Sequence, residues 1–252
     1  MRIRGILKRT NILIALGLLG AAVAILVLWQ TRVPTGATGM STQESPPNGG
    51  LSRAGMQKPN WNVDLFRAAS DGDIEKLKAL LSRGADINER EAEGETPLMY
   101  AASEGRSKAV QFLIDKGADI HAVSMNNETA LARAALAGQD DTIEVLLDNG
   151  ARINESAECG GSPLYYAALG GHAKAVSVLL RRGAIVDKRG CHGSTPLMLA
   201  AREGHNEVAK LLLDAGADAN LEDESGKTAL RLAQDRKQMA IVEMLSQRQA
   251  RD

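Results

Sequence analysis

The chain has 252 residues with 30 Lys and Arg against 31 Asp and Glu, for a formal net charge of −1. Seven of the basic residues but only one acidic residue precede residue 60, which leaves 23 basic against 30 acidic, about −7, beyond it. So acidic a segment lacks the basic footprint that nucleic-acid binding requires, and nucleic acid is excluded as a partner.

The first element is apolar. Ile12 to Trp29 are 18 uncharged residues, preceded by Arg2, Arg4, Lys8 and Arg9. A secretory signal has an apolar core of roughly 7–15 residues and a spanning helix needs about 17–25, so the length favours an uncleaved anchor over residues 1–30. Ala22-Val23-Ala24 has the small-x-small form of a cleavage site. The alternative is thus a soluble exported protein. Four basic residues lie before the span and Arg32 alone lies close after it, which keeps the N-terminus cytoplasmic. The expected location is the inner membrane, single-pass, with everything downstream in the periplasm.

Residues 31–59 hold Pro34, Pro46, Pro47 and Pro59 among Gly, Ser and Thr and show no apolar period. They read as a flexible tether spanning about 30 Å. Downstream, Gly84-Ala85, Gly117-Ala118, Gly150-Ala151, Gly183-Ala184 and Gly216-Ala217 recur every 33 residues. Leu65, Leu98, Leu131, Leu164, Leu197 and Leu230 keep the same period, as do the Ala-Ala pairs closing at Ala69, Ala102, Ala135, Ala168 and Ala201. The chain is therefore a repeat array. Thr96-Pro97 and Thr195-Pro196 supply a capping hydroxyl and a proline at the first helical position. Gly72, Gly105, Gly138, Gly171 and Gly204 then supply a left-handed turn, and a second helix with Val110, Leu113 and Ile114 or Val208, Leu211 and Leu212 at helical spacing follows.

The unit, plainest at Gly193-Ser-Thr-Pro-Leu-Met-Leu-Ala-Ala-Arg-Glu-Gly-His205, resembles the ankyrin repeat. The resemblance implies an all-α solenoid of about six units over residues 60–247, divided near 60–92, 93–125, 126–158, 159–191, 192–224 and 225–247; the apolar run upstream, by its length, is expected to precede it as one N-terminal transmembrane helix. It also implies a concave face, lined by hairpin tips and first helices, that binds a protein. The residue before each Ala-Ala pair forms a stripe of Tyr100, Arg133, Tyr166 and Leu199, in which tyrosine and arginine are residue types enriched at interface hot spots. An equally weighted reading makes these large residues packing groups. Around the stripe, the tip residues Glu93, Glu95, Asn126, Glu128, His192 and Ser194 and the helix-end residues Ser103, Glu104, Arg202 and Glu203 complete the contact candidates. The histidine that usually follows Thr-Pro-Leu is replaced by Met99, Ala132, Tyr165, Met198 and Arg231, so the tips are expected to be looser than the family's.

No catalytic constellation emerges. His172 and His205 sit where the family's histidine holds the turn, and Ser225-Gly226-Lys227-Thr228 has Leu221 where a phosphate-binding loop needs glycine. The expectation is no enzyme, no cofactor, no metal and no small-molecule substrate. Cys159 and Cys191 fall near adjacent hairpin tips, where a disulfide, two separate thiols or, with Glu158 and His192, a zinc site are each open. Function is thus expected to be non-catalytic protein binding at the membrane, as a scaffold for an envelope enzyme or, alternatively, as an immunity protein neutralising an exported toxic enzyme.

Overall fold

The computed structural model describes residues 61–156 and 160–249. The apolar stretch Ile12 to Trp29, the tether, Glu158 and Cys159 lie outside the described residues. Among the described residues no helix is long and apolar enough to cross a membrane. Among the described residues, twelve α-helices follow one another in six pairs. They are α1 Trp61–Asp71 with α2 Ile74–Ser82, α3 Pro97–Ser103 with α4 Ser107–Asp115, and α5 Ala130–Leu136 with α6 Asp140–Asp148. The remaining pairs are α7 Pro163–Gly170 with α8 Ala173–Arg181, α9 Pro196–Glu203 with α10 Asn206–Asp214, and α11 Ala229–Asp235 with α12 Met239–Gln249.

Each first helix after α1 starts where a hydroxyl stops the extended chain. Thr96, Thr129, Ser162, Thr195 and Thr228 all have extended backbone, and each side-chain oxygen accepts from the N–H three residues on, at 3.2–3.4 Å. Helix α1 has no such stop. Val63 stands at the cap position, and the helix begins two residues earlier, at Trp61.

The pairs stack into two layers. First helices pack on neighbouring first helices, second helices on neighbouring second helices, and the two layers meet within each pair. The periodic leucines explain why: Leu65, Leu98, Leu131, Leu164 and Leu197 are at most 1% exposed, and the Ala-Ala pairs are fully buried where the layers approach. A side chain larger than alanine would hold the layers apart. Leu113, Leu146, Leu179, Leu212 and Leu245 form the matching row on the second helices.

Polar stitches run alongside this core. Arg106 Nε donates to Ser70 O at 2.8 Å, Gln139 Nε2 to Ser103 O at 3.0 Å, His172 Nε2 to Leu136 O at 2.9 Å and His205 Nε2 to Leu169 O at 3.1 Å. The two histidines therefore tie each repeat to the one before it, rather than bracing their own turn. A second row joins Asn88 Oδ1 to Asp119 N, Asn154 Oδ1 to Ile185 N and Asp187 Oδ2 to Asp218 N at 2.8–3.1 Å.

The tips are not loosened as expected. Met99 Sδ accepts from Thr96 N at 3.4 Å and Met198 Sδ from Thr195 N at 3.3 Å, so a thioether closes the capping box in both repeats. Neighbouring tips are also bonded to each other. Met125 N donates to Glu93 O and Glu224 N to His192 O, and the Arg90 and Arg189 guanidinium groups each reach a carbonyl of the next tip, Val123 O and Glu222 O, at 2.6 Å.

Candidate functional site

Of the stripe, Tyr100 on α3, Arg133 on α5 and Tyr166 on α7 are half-buried, each keeping part of its side chain in solvent. The stripe's centre is a hydrogen-bonded cluster. Arg133 on α5 pairs with Glu95 at 2.7 Å and with Glu128 at 3.1 Å, both carboxylates lying on tips and nearly buried, with side chains 6% and 11% exposed. Tyr100 on α3 donates its hydroxyl to Glu91 Oε1 at 2.5 Å, and its ring tilts onto Phe66 with centroids 5.3 Å apart. Tyr166 on α7 meets Tyr165 edge-on at 5.5 Å. The sequence treated these residues as separate display positions; in the structure Arg133 joins Glu95 and Glu128 by ion pairs, and Tyr100 is linked to Glu95 through their common partner Glu91, while Tyr166 is half-buried.

Electrostatics follow from that burial. Desolvation raises the Glu95 carboxyl above its ordinary range, against the pull of Arg133, and the hydrogen bond with Glu91 raises it further. Burial, then the Glu91 bond, pushes the Tyr100 hydroxyl well up, and burial likewise raises Tyr166 and takes Tyr165 to about 12. All three phenols stay neutral donors at physiological pH.

Leu199 is a correction. It is 1% exposed, packed within α9 between its neighbours α7 and α11, and cannot meet a partner side chain. Glu104 is exposed at the C-cap of α3, and Arg202 is half-buried and pairs with Glu203 at 2.7 Å. His192 is 90% exposed at a tip, with φ 57°, and its Nδ1 stands 3.9 Å from the Glu224 carboxylate. Cys191 is half-buried at the start of the 3-10 turn Cys191–Gly193, and its candidate bridge partner Cys159 lies outside the described residues. Lys227 of the Ser-Gly-Lys-Thr stretch is committed to Asp235 at 2.7 Å.

Two features escaped the sequence reading. Tyr165 is 8% exposed and wedged against two tip glycines: a Cβ on Gly161 would lie 2.0 Å from its Cδ1, and one on Gly190 2.5 Å from its Cε2. The signal was legible, since the Gly161 position carries Glu95, Glu128, Ser194 and Lys227 in other repeats. The second is the apolar helix ends Leu136-Ala137 and Leu169-Gly170, which are half-exposed where the outer repeats carry charge.

Comparison with known proteins fits this architecture. The family model described as ankyrin repeats matches residues 65–157, 155–223 and 188–251. Two curated relatives from Rickettsia felis, named as ankyrin repeat proteins RF_p14 and RF_pd14, are 42% and 45% identical over 48 and 42 residues, spanning 19% and 17% of this chain and 76% and 64% of theirs. Among solved structures, a chain from the complex of the Bd0816 predatory endopeptidase of Bdellovibrio bacteriovorus with immunity protein Bd3460 is 30% identical, with a TM-score of 0.64, covering 73% of this chain and 96% of that one.

Proposed function

The chain belongs to the ankyrin-repeat family and is a protein–protein interaction module, and on that premise we propose that it neutralises an exported peptidase or related hydrolase, in the manner of an immunity protein, from a membrane tether. The observation that carries the reading is the likeness over 96% of a chain seen in an endopeptidase–immunity protein complex. A stacked, cross-stitched array suits such work. Its binding face is already ordered before the partner arrives, so association loses little conformational entropy, and a rigid body can cover an active site without donating a cleavable flexible segment. The stripe around Tyr100, Arg133 and Tyr166 is the contact region, with Glu95 and Glu128 holding Arg133 in place and Glu104 and Arg202 at its edges.

The tether is the second part of the proposal. Ile12 to Trp29 anchors the chain in the inner membrane, the basic flank keeps the N-terminus cytoplasmic, and the repeats work in the periplasm. Recovery of a soluble mature form beginning between Ile25 and Thr38 would replace the anchor by a cleaved signal.

The test uses the full-length chain with a C-terminal affinity handle, cross-linked in intact cells and captured from membranes. Mass spectrometry identifies the partner, whose turnover is then measured with increasing amounts of the captured chain. A hydrolase silenced at equimolar addition supports neutralisation. An enzyme whose turnover is unchanged or raised makes the chain a scaffold or accessory subunit instead.

A further inference from the structure

At the base of each hairpin tip, two residues four apart face each other across a backbone bond. Glu91 N donates to Glu95 O, Ser124 N to Glu128 O, Gly190 N to Ser194 O and Asp223 N to Lys227 O, at 2.9–3.2 Å. Among these described pairs, Glu91 and Glu95 alone carry like charges; the others are neutral, singly charged or, in Asp223 and Lys227, opposite. Like charges opposite each other on a hairpin repel. Yet the Glu91 and Glu95 side chains are hydrogen-bonded to each other. An ionised carboxylate only accepts, so that bond exists only while one of the two carries a proton.

The surroundings hang on that proton. Glu95 is 4% exposed and Glu91 half-buried, so burial opposes a second negative charge. The Tyr100 hydroxyl of α3 donates to Glu91, while Arg133 of α5 holds Glu95 at 2.7 Å and, on the second tip, Glu128 at 3.1 Å. With the proton in place, Arg133 faces the charges of Glu91 and Glu128; without it, one guanidinium faces three carboxylates. Exposed Glu93 adds to the repulsion, and Arg90, a cation bonded to Gly94 O and Val123 O, partly offsets it. From α7, Tyr166 faces Glu128 and Arg133 as a neutral phenol. The second tip is in turn bonded to the first, Met125 N donating to Glu93 O at 2.9 Å. We propose that the proton shared by Glu91 and Glu95 is a latch: while it is held, the first tip stays closed on the second and orders Tyr100 and Arg133, and when it leaves, the carboxylates part and the tip opens. The sign follows from burial. The Glu95 carboxyl keeps its proton above the ordinary range, so the closed tip is favoured in acid and lost as pH rises through that raised value. Resting on the stripe as the contact region, the latch makes partner binding stronger at pH 5 than at pH 8.

Amide exchange of the full-length chain in detergent, read by mass spectrometry and corrected for the intrinsic pH dependence of exchange, compares residues 89–96 and 122–128 with the control tips 189–195 and 222–228. Protection in the first two segments is expected to fall at least about tenfold from pH 4.5 to pH 8, and in the controls to vary less than about threefold. Glu95→Gln offers Glu91 a donor that does not titrate, and Glu91→Gln does the same from the other side, so each should hold the two segments protected at both pH values. Glu93→Gln should respond to pH as the parent does. Level protection in the parent, or a fall that neither glutamine at 91 nor 95 abolishes, would overturn the latch. Coupling to a partner is read separately, with the photo-cross-linker p-benzoylphenylalanine at the exposed position 104 of the full-length chain in its native membranes. The yield of partner product should be at least about threefold higher at pH 5 than at pH 8, and level once Glu95→Gln is added. A level yield in the parent removes the coupling, and no product at either pH removes the contact region itself; in both cases the exchange result still decides the latch.

Discussion

Removing the Arg133 guanidinium would strand the Glu95 and Glu128 carboxylates in nearly dry surroundings. A fully buried pair broken on one side costs roughly 3–5 kcal/mol, and with the Arg133 side chain 27% exposed the expected cost of Arg133→Ala is about 2 kcal/mol. Urea unfolding checks it; an unchanged midpoint would make the cluster energetically idle. Glu95 itself has the opposite role in the pH dependence. Its folded pKa lies above the ordinary value of 4.5, so the folded state holds the proton more tightly. The stability it contributes is complete below that value and is lost as pH rises through the folded pKa. Glu95→Gln should therefore flatten the decline in stability as pH rises above 4.5, measured as unfolding midpoints across pH; parallel profiles for parent and variant would contradict this. Asp187, raised by burial in the same direction, adds to the decline. Truncating the tyrosines is a less clean probe of binding than their exposed appearance in the sequence suggests, because Tyr100 packs on Phe66 and bonds to Glu91. Tyr100→Phe keeps the packing and removes only the hydroxyl.

At the scale of the helix pair, nearly everything regular was legible. Thr-Pro starts, buried Ala-Ala pairs and left-handed glycines all sit where the 33-residue period puts them. The exception at the end of the array is instructive. Lys237 takes the turn position of Gly72, Gly105, Gly138, Gly171 and Gly204, and adopts φ 60°. A side chain there costs roughly 1–2 kcal/mol, partly offset because glycine gives the unfolded chain more freedom. Lys237→Gly should raise stability by about 0.5–1 kcal/mol, and a lower melting temperature would refute the strain. Across the fourth unit, whose first and last residues they are, a Cys159–Cys191 bridge remains a proposal; closing a loop of about 30 residues, it would contribute on the order of 3–4 kcal/mol. Reduction of protein from the exported compartment should then lower the melting temperature.

Among the described residues, the substantial packing of each repeat is with its neighbours, so stability is approximately a sum of units and interfaces, and the ends have one interface fewer. The last unit is the weaker end: Leu230 is half-exposed where every earlier member of its row is buried, and Met239 is 68% exposed. Amide exchange should accordingly be at least about tenfold faster in α11 and α12 than in α7 and α8. Equal protection along the array would mean that it unfolds as one cooperative block.

By itself, the sequence determined the repeat, its period, the helix starts and the turn glycines, because each depends on local backbone chemistry repeated at a fixed interval. It also marked the apolar segment and the acidic balance that bear on where the chain works. The tertiary structure decided which stripe residues are available. Leu199 is spent on packing and Arg133 on two carboxylates, because burial and pairing are settled by neighbours 5 to 38 residues away rather than by the residue's own repeat position. It likewise converted two helix ends, Leu136-Ala137 and Leu169-Gly170, from minor departures in the pattern into adjacent parts of one surface, since only stacking brings positions 33 residues apart into contact.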